Sequence, residues 1–376
     1  MARGKREKKP VVSPGKKVFR VILGILGTAV LVVGVYAAYV FINYDRLEDN
    51  LELEINNPVN VSSNIPVGEE LTVTSWNIGF GAYLQDFTFF MDGGKESRAR
   101  SKEAVEQSMS AICDTLHELD SDLYLIQEVD FDATRTYKVD ERKILTDSFP
   151  DCASTFAQNY DSPYLFWPLL EPHGANKAGI LTLSDYSMTM SIRRSLPIQT
   201  DFAKLLDLDR CYDLIRIPAD NGKDLVLINL HLSAYTTDPT IADQQLDMIY
   251  EQIVQERING NYVICGGDFN KDLIGDGGRC FGVEGSEDYS WCQPFKEENL
   301  PEGFTLVKPY DPEENIASNR VANEPYNIET TFRTTLDGFI VSDNVKVIRA
   351  KAIEEEFMYS DHNPVQMRFR LEKQAD

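Results

Sequence analysis

Six short polar clusters lie beside apolar runs of this sequence. Their side chains are of the types that can bind metal ions and transfer protons. They contain carboxylates, amides and imidazoles. In chain order they are Trp76-Asn77, Gln127-Glu128, Asn229-Leu230-His231, Gly267-Asp268-Phe269-Asn270, Leu336-Asp337-Gly338 and Ser360-Asp361-His362. Because the neighbouring apolar runs have the pattern of buried strands, we expect the clusters to meet at one edge of a β-core.

Four residues of these clusters offer oxygen ligands, namely Glu128, Asp268, Asp361 and Asn77. An all-oxygen set suits Mg²⁺, Mn²⁺ or Ca²⁺ far better than zinc. A hard divalent cation offsets the charge of a phosphoester and polarises its phosphoryl oxygen. Taken singly, each carboxylate could merely end a strand in water, and the Gly-Gly pair before Asp268 could form a tight turn. The set as a whole therefore predicts the site.

Histidine is scarce, with four in the chain, and two of them belong to the clusters. His231 and His362 fall at predicted strand ends, which suits a pair that divides general-base and general-acid work. A carboxylate on the far ring nitrogen fixes the tautomer of such a histidine, and Asp337 is the partner expected for His362. Buried histidines are more often satisfied core residues, and His117 and His173 are assigned no role.

The elements that must position these residues alternate along the chain. Val105, Met109, Ile112, Leu116 and Leu119 recur at steps of four, three, four and three, which predicts one face of an amphipathic helix. The same spacing at residues 242–253 predicts a second helix, and each helix leads into a cluster-bearing strand. Strand-like segments dominate elsewhere. The pattern predicts an α/β fold in one domain over residues 70–372, with two packed sheets and helices outside.

Two polar stretches, residues 271–303 and 311–327, interrupt this pattern as insertions. Such excursions are either binding loops or solvated decoration. Cys280 and Cys292 bracket part of the first insertion and could close it as a disulfide outside the cytoplasm. We expect Cys113 and Cys265, in apolar surroundings, to be buried free thiols. The cysteines show no zinc-binding spacing.

The N-terminal region has a different composition. Residues 1–20 carry a net charge of +7, and residues 21–44 contain no charged side chain. A helix of about 20 such residues spans a bilayer, and the basic flank favours a cytoplasmic N-terminus. We therefore predict a basic cytoplasmic tail at 1–20, a transmembrane helix at 21–44 and a stalk at 45–69. A cleaved signal peptide is the alternative, although the apolar stretch exceeds the usual 7–15 residues.

Taken together, the six clusters resemble those of the endonuclease/exonuclease/phosphatase superfamily, which includes deoxyribonuclease I-like nucleases, sphingomyelinases and inositol-polyphosphate phosphatases. The resemblance covers residues 71–371, and it is the order of all six clusters that makes it specific. It implies a four-layer α/β/β/α sandwich and metal-dependent phosphoester hydrolysis. The basic flank of the N-terminal helix, in contrast, is what predicts an extracytoplasmic catalytic domain held at the cell membrane.

The resemblance further implies a role for each residue that matches a family motif. Glu128 would be the main metal ligand, supported by Asn77 and Asp361. Asp268 would orient or activate the attacking water, and Asn270 would hold a phosphoryl oxygen. His362, oriented by Asp337, would act as a base or transition-state stabiliser. His231 would donate to a phosphate oxygen or to the leaving group, and Glu171 occupies the position of a possible carboxylate partner for His231.

Charge bears on the substrate. The net charge is −23, and it is −30 once residues 1–20 are set aside, which disfavours non-specific nucleic-acid binding because such binding depends on Lys/Arg contacts to phosphates. We therefore expect a lipid or other membrane-borne phosphodiester. The alternatives are an extracytoplasmic nuclease with a local patch of Arg98, Arg100, Lys102 or Lys177, and a non-catalytic binding module. The sequence indicates no obligate protein partner.

Overall fold

The computed structural model describes residues 14–44, 46–199, 208–234, 240–283 and 292–373. Most of the predicted basic tail, and Tyr289 and Trp291 of the first insertion, lie outside these residues. The chain divides into two units, residues 1–44 and 45–376. The helices are α1 Pro14–Asn43, α2 Lys102–Leu119, α3 Glu141–Ser148 and α4 Ile241–Ile258.

The described strands are β1 Leu51–Glu52, β2 Ile55–Asn56, β3 Glu70–Asn77, β4 Leu123–Asp130, β5 Ala153–Asp161, β6 Lys177–Ser184, β7 Met190–Ser195, β8 Cys211–Pro218, β9 Asp224–His231, β10 Tyr262–Asp268, β11 Phe304–Val307, β12 Asn319–Arg320, β13 Arg333–Thr334, β14 Asp337–Ser342, β15 Val345–Ala352 and β16 Val365–Leu371. They form two seven-stranded sheets and a short β12–β13 pair. Sheet I has the order β1-β7-β8-β9-β10-β14-β11. Sheet II has the order β15-β16-β3-β4-β6-β5-β2.

The two sheets pack against each other through apolar side chains such as Leu125 of β4 and Leu227 and Ile264 of sheet I, all fully buried. The apolar face of α2 covers the other side of sheet II, and that of α4 covers sheet I. The predicted four-layer sandwich is confirmed. Both helices lie where their spacing placed them, because burying an apolar stripe on a sheet face is the stable arrangement for such a helix.

Polar side chains also join the sheets. In the fully buried centre, Gln127 of β4 donates from Nε2 to Asn229 Oδ1 of β9 at 2.8 Å. Asn229 in turn donates from Nδ2 to the Leu181 carbonyl and to Thr182 Oγ1 of β6. These amides are cluster residues by sequence, yet they connect the sheets rather than line the cavity described below.

The segment predicted to be a stalk, residues 45–69, is not separate from the domain, because its described part packs on the domain. β1 pairs with β7 at the edge of sheet I, and β2 pairs with β5 at the edge of sheet II. Ile65 is fully buried in the core between the sheets. The acidic composition of the segment concealed these strands, which are only two residues long.

The two insertions pack together beside the sandwich. Phe281 of the first forms a small core with Ala317 of the second and Phe357. Phe281 is only 4% exposed. Cys280 and Cys292 are free thiols, so the disulfide suggested by sequence is not formed. Cys113 and Cys265 are buried free thiols, as predicted.

The described part of the N-terminal unit consists of one helix and the residue that follows it. The helix begins at Pro14, earlier than the predicted residue 21, and ends at Asn43, so that its 30 residues extend about 45 Å. By length and composition it is able to cross a membrane. Lys16, Lys17 and Arg20 lie in its first two turns.

Candidate active site

Strand direction brings the six clusters together. β3 and β4 are parallel neighbours in sheet II, and β9 and β10 are parallel neighbours in sheet I. Their carboxyl ends therefore share one edge of the sandwich, and β14 and β16, antiparallel to them, begin at that edge. A cavity of about 290 Å³ opens there. Its lining includes Asn77, Glu128, His231, Asp268, Asn270, Asp361 and His362.

Glu128 reaches the cavity through an irregularity in β4. The register with β6 shifts between Ile126 and Val129, and Glu128 has a positive φ of 57°. A bulge of this kind re-aims a side chain, and a non-glycine residue in this conformation costs about 1–3 kcal/mol. Asn77 donates from Nδ2 to Glu128 Oε1 at 3.2 Å. The strained backbone thus presents the Glu128 carboxylate to the cavity.

Asp268 lies at the centre of the site and is 1% exposed. Its Oδ1 accepts from the Asn270 backbone N–H at 2.8 Å, and its Oδ2 accepts from Asn77 Nδ2 at 3.1 Å. Burial raises the pKa of Asp268 to about 6, with a contribution from the Asp337 charge and an opposing one from His362. The carboxyl is therefore a stronger base than an exposed aspartate, as activation of water requires.

Gly267 permits this placement. Its φ is +143°, and a Cβ there would lie 2.0 Å from the Leu230 carbonyl oxygen of the adjacent strand. Because the residue lies within β10, the alternative of a tight turn before Asp268 is wrong.

His362 is held from both ring nitrogens. Nδ1 lies 2.8 Å from Asp337 Oδ2, and Nε2 lies 2.9 Å from the Asn319 amide. Asp337 Oδ2 also accepts from Ser318 Oγ at 2.7 Å. Burial alone would lower the pKa of His362, but the carboxylates of Asp337 and Asp268 outweigh it and raise the pKa to about 10. The two carboxylates therefore favour the protonated imidazole, whose Nδ1–H donates to Asp337.

The pKa of His231 is shifted in the opposite direction. Its Nε2 lies 3.5 Å from Asp268 Oδ2 and 4.0 Å from Glu128 Oε1. Burial, together with the positive charges of Arg210 and His362, lowers the pKa of His231 well below its ordinary value. A neutral and a charged imidazole therefore lie on either side of Asp268, and groups whose pKa values are driven apart are typical of acid–base sites.

The metal-ligand set predicted from sequence is Glu128, Asn77 and Asp361. Burial raises the pKa of Asp361 to about 7 against the attraction of His362, and the facing charge of Glu128 raises it further. Two carboxylates that share one cavity fit a hard divalent cation, which would stabilise both charges. Asn77 uses Oδ1 to accept from the Gly79 N–H at 3.0 Å and turns its Nδ2 to the carboxylates, an arrangement that orients Glu128.

A second acidic group needs no cation to explain it. Asp268, Asp337 and His362 place one potential ligand atom each within 4.8 Å of one another. The 2.8 Å contact between His362 and Asp337 accounts for two of the three. We interpret the His362–Asp337 contact as a hydrogen bond that fixes the imidazole, and Asp268 as a neighbouring charge 3.7 Å from His362 Nε2.

Asn270 and Glu171 complete the set of predicted residues. Asn270 lines the cavity with φ +49° and donates from Nδ2 to the Leu232 carbonyl at 2.8 Å. Glu171 is not the carboxylate partner of His231 that the resemblance implied. Its carboxylate lies 3.5 Å from Arg98 and accepts from the Ser97 N–H. Among the described residues, His231 Nδ1 has no hydrogen-bond partner. The loop that carries Glu171 folds toward Ser97, a contact invisible in sequence.

Sequence reasoning missed several polar residues of the cavity, among them Asn319, Arg320 and Arg135. Asn319 and Arg320 come from the second insertion and form β12, and the Arg320 N–H donates to the Asp361 carbonyl at 2.9 Å. Arg135 lies 3.8 Å over the Phe80 ring and forms a buried ion pair with Asp130 at 2.8 Å. No motif marks these residues. For Asn319 and Arg320, the one signal was the position of residues 311–327 between two cluster-bearing segments.

Comparisons with known proteins agree with this geometry. A model of the endonuclease/exonuclease/phosphatase family matches residues 74–362. The structure resembles an endonuclease/exonuclease/phosphatase from Beutenbergia cavernae DSM 12333, with a TM-score of 0.56, 14% identity and coverage of 81% of this chain and 72% of that one. It also resembles ANGEL2, a 2',3'-cyclic phosphatase, with a TM-score of 0.54, 15% identity and coverage of 86% and 99%.

A third similar structure is truncated Caenorhabditis elegans TDP2, with a TM-score of 0.49, 14% identity and coverage of 81% of this chain and 99% of that one. No curated protein matches the chain by sequence. At these identities, the similarity to solved structures shows a shared fold and does not extend to function.

Proposed function

This chain belongs to the endonuclease/exonuclease/phosphatase family, and from that premise we propose that it is a membrane-anchored, divalent-metal-dependent phosphoester hydrolase whose substrate is a lipid or other membrane-borne phosphodiester. The observation that carries the proposal is the cavity whose lining brings Glu128, Asp361 and Asp268 together with His231 and His362. In the proposed topology α1 spans the cell membrane with its N-terminus in the cytoplasm, and the catalytic domain is extracytoplasmic.

Glu128 and Asp361 are the residues we assign to Mg²⁺, Mn²⁺ or Ca²⁺, with Asn77 holding Glu128 in place. When bound, the cation would offset the charge of the phosphoester and stabilise the leaving oxygen. Asp268, fixed by Asn77 and the Asn270 N–H, orients a water molecule and accepts its proton. Catalysis in such a site consists mostly of positioning and electrostatic stabilisation.

The two histidines take separate parts in this mechanism. His362, charged and held by Asp337, stabilises the negative charge that develops on the phosphoryl oxygens. His231, kept neutral by burial, donates one N–H to a phosphate oxygen or to the leaving group. Asn270 assists with its amide at the cavity wall.

A polynucleotide substrate has less support. The four cations suggested as a local basic patch are each paired with a carboxylate: Arg98 with Glu171, Arg100 with Asp86 and Glu96, Lys102 with Glu106, and Lys177 with Asp161. A cation already paired in this way gains less from a phosphate contact. The non-catalytic module is disfavoured because every family motif position holds a chemically competent side chain.

The test uses the full chain in detergent with bis-p-nitrophenyl phosphate and p-nitrophenyl phosphate, in Mg²⁺, Mn²⁺ or EDTA. We expect metal-dependent release that falls at least about 100-fold in Asp268→Ala, the usual range for loss of an acid–base group. Glu118→Gln, an exposed change on α2, is the matched control. Equal rates in Asp268→Ala and the parent, or equal rates in EDTA and Mg²⁺, would contradict the proposal. The faster ester distinguishes a diesterase from a monoesterase.

A further inference from the structure

A loop between β5 and β6 exposes large apolar side chains to solvent. Trp167 is 65% exposed, Leu169 is 73% and Leu170 is 100%, and Phe166 beside them is 51% exposed. Four such residues within five positions form a contiguous patch, whereas single exposed apolar residues are ordinary on a protein surface. We call residues 166–170 the apolar loop.

The base of the apolar loop is fixed. Leu165 and Gly174 exchange two backbone hydrogen bonds of 3.0 Å, and the His173 N–H donates to the Trp167 carbonyl at 3.2 Å. His173 Nδ1 lies 2.7 Å from the Ser97 carbonyl oxygen. A tied base with an apolar tip presents these side chains outward, although folding would normally bury them.

The loop lies at the same edge of the sandwich as the site. β5 runs parallel to β4, since both are antiparallel to β6. The segment that follows β5 therefore leaves from the edge where β3, β4, β9 and β10 end. His173, at the base of the loop, lines the cavity itself, as do Asn159 and Tyr160 at the end of β5. The apolar tip thus belongs to the rim of the catalytic cavity.

The start of the domain is fastened to this same edge. Arg46 donates from Nε to Asp209 Oδ1 at 2.9 Å and from a second guanidinium nitrogen to the Leu196 carbonyl, and the Leu47 N–H donates to Asp209 Oδ2. The neighbours of Asp209, Leu208 and Arg210, line the cavity. Since α1 ends at Asn43, two residues separate the helix from Arg46, and the three steps of chain from Asn43 to Arg46 span at most about 10 Å.

We infer that the apolar loop inserts into the lipid interface beside α1, so that the catalytic cavity opens toward the bilayer and takes its phosphoester from a membrane lipid. The inference rests on the proposed function for the membrane anchor and for the reaction. Trp, Phe and Leu side chains are the ones that enter the interfacial region of a bilayer. The chain bears an apolar helix long enough to cross a membrane, joined to Arg46 through two residues, and this favours a lipid layer as the occupant.

The first experiment follows Trp167 fluorescence. The full chain carrying Trp291→Phe is reconstituted into phosphatidylcholine–phosphatidylglycerol vesicles whose acyl chains are brominated, which quenches a tryptophan that enters the bilayer. Of the two tryptophans left, Trp76 is 1% exposed and Trp167 is 65% exposed. We expect strong quenching relative to unbrominated vesicles, and we expect it to disappear in Trp291→Phe/Trp167→Phe. Equal quenching with and without Trp167, or none in either protein, would overturn the inference.

The second experiment compares two substrates of the same chemistry. Hydrolysis of hexadecyl p-nitrophenyl phosphate embedded in the vesicles is measured beside that of soluble bis-p-nitrophenyl phosphate. We expect Leu169→Ser/Leu170→Ser to lose about tenfold or more on the embedded ester alone, because burial of apolar side chains drives interfacial binding. Ile258→Ser is the matched control, since Ile258 is 72% exposed at the end of α4, the helix that leads into the opposite end of β10.

The results separate the two proposals. If the ratio of the rate on the embedded ester to the rate on the soluble ester is the same in the double serine variant and the parent, membrane insertion of the loop is overturned. The proposed hydrolysis is unaffected by that result. A change of oligomeric state in that variant, with no quenching, assigns the loop to a second copy of the chain and also overturns membrane insertion. If the parent hydrolyses neither ester with any metal, the proposed reaction fails, and the quenching of Trp167 still decides the membrane contact.

Discussion

His231 and His362 lie on either side of Asp268, and their surroundings give them different charges at neutral pH. His362 has the Asp337 carboxylate at 2.8 Å, whereas His231 Nδ1 is buried without a partner among the described residues. Their strand-end positions predicted two imidazoles that divide the proton work. Which of the two histidines favours the protonated form depends on the contact between His362 and Asp337, which are 25 residues apart in the sequence.

Glu128→Gln tests the cation site at the residue scale. The substitution keeps an oxygen that accepts from Asn77 but removes the charge that faces Asp361. We expect the Mg²⁺ or Mn²⁺ concentration for half-maximal activity to rise at least tenfold, since even ligand-supporting residues change metal affinity by about 10–100-fold. The metal-induced rise in melting temperature should shrink in parallel. An unchanged melting response to metal would refute Glu128 as a ligand.

At the scale of elements, the two sheets are joined by buried polar contacts as well as by apolar packing. Gln127 and Asn229 connect β4 with β9 directly before Glu128 and only two residues before His231. A second contact joins Thr155 of β5 to Ser191 of β7 at 2.8 Å, and Ser191 donates to Asp213 of β8 at 2.8 Å. Such contacts fix the register of the sheets, and with it the distances in the cavity.

Asn229→Ala should destabilise the domain by about 2–3 kcal/mol, because it removes three buried hydrogen bonds, the one from Gln127 and those to the Leu181 carbonyl and Thr182 Oγ1. Denaturant unfolding of the detergent-solubilised chain measures this. A double-mutant cycle with Gln127→Ala isolates the pair, and we expect the two effects to be clearly non-additive. Additive effects would show that the amides do not act together.

Asp213 makes the stability of the sandwich depend on pH. Burial raises the pKa of this carboxyl to about 7, against one hydrogen bond from Ser191. Because its folded pKa lies above its unfolded value of 3.8, its contribution is most favourable below 3.8 and is lost as pH rises to about 7. Asp213→Asn should therefore flatten the pH profile of unfolding between pH 4 and 7, by up to about 4 kcal/mol. Parallel profiles for the two proteins would rule this out.

For the whole molecule, an apolar helix and an acidic domain are joined by a very short connection. The net charge of −30 beyond residue 20 keeps the domain soluble and disfavours polyanions, whereas α1 exposes large apolar side chains along its length. These properties suit a domain held at a membrane surface.

The full chain should stay in the membrane pellet after alkaline carbonate extraction. Leu26→Arg/Val30→Arg should release it, because arginine at the centre of a spanning helix costs about 2.5–3.5 kcal/mol per residue. Mass spectrometry of the purified protein detects the alternative, cleavage of the helix as a signal peptide. Recovery of the parent chain in the carbonate-soluble fraction would contradict the anchor.

The sequence by itself determined the fold class, the helix candidates and the edge at which the polar clusters meet. These follow from local periodicity, since a strand and the residue that ends it are neighbours in the chain. The tertiary structure alone decided the packing of residues 46–69 on both sheets, the entry of Asn319 into the site, the separation of Glu171 from His231, and the exposure of the apolar loop. Each of these depends on contacts between distant segments, and composition carries no signal for which segments will meet.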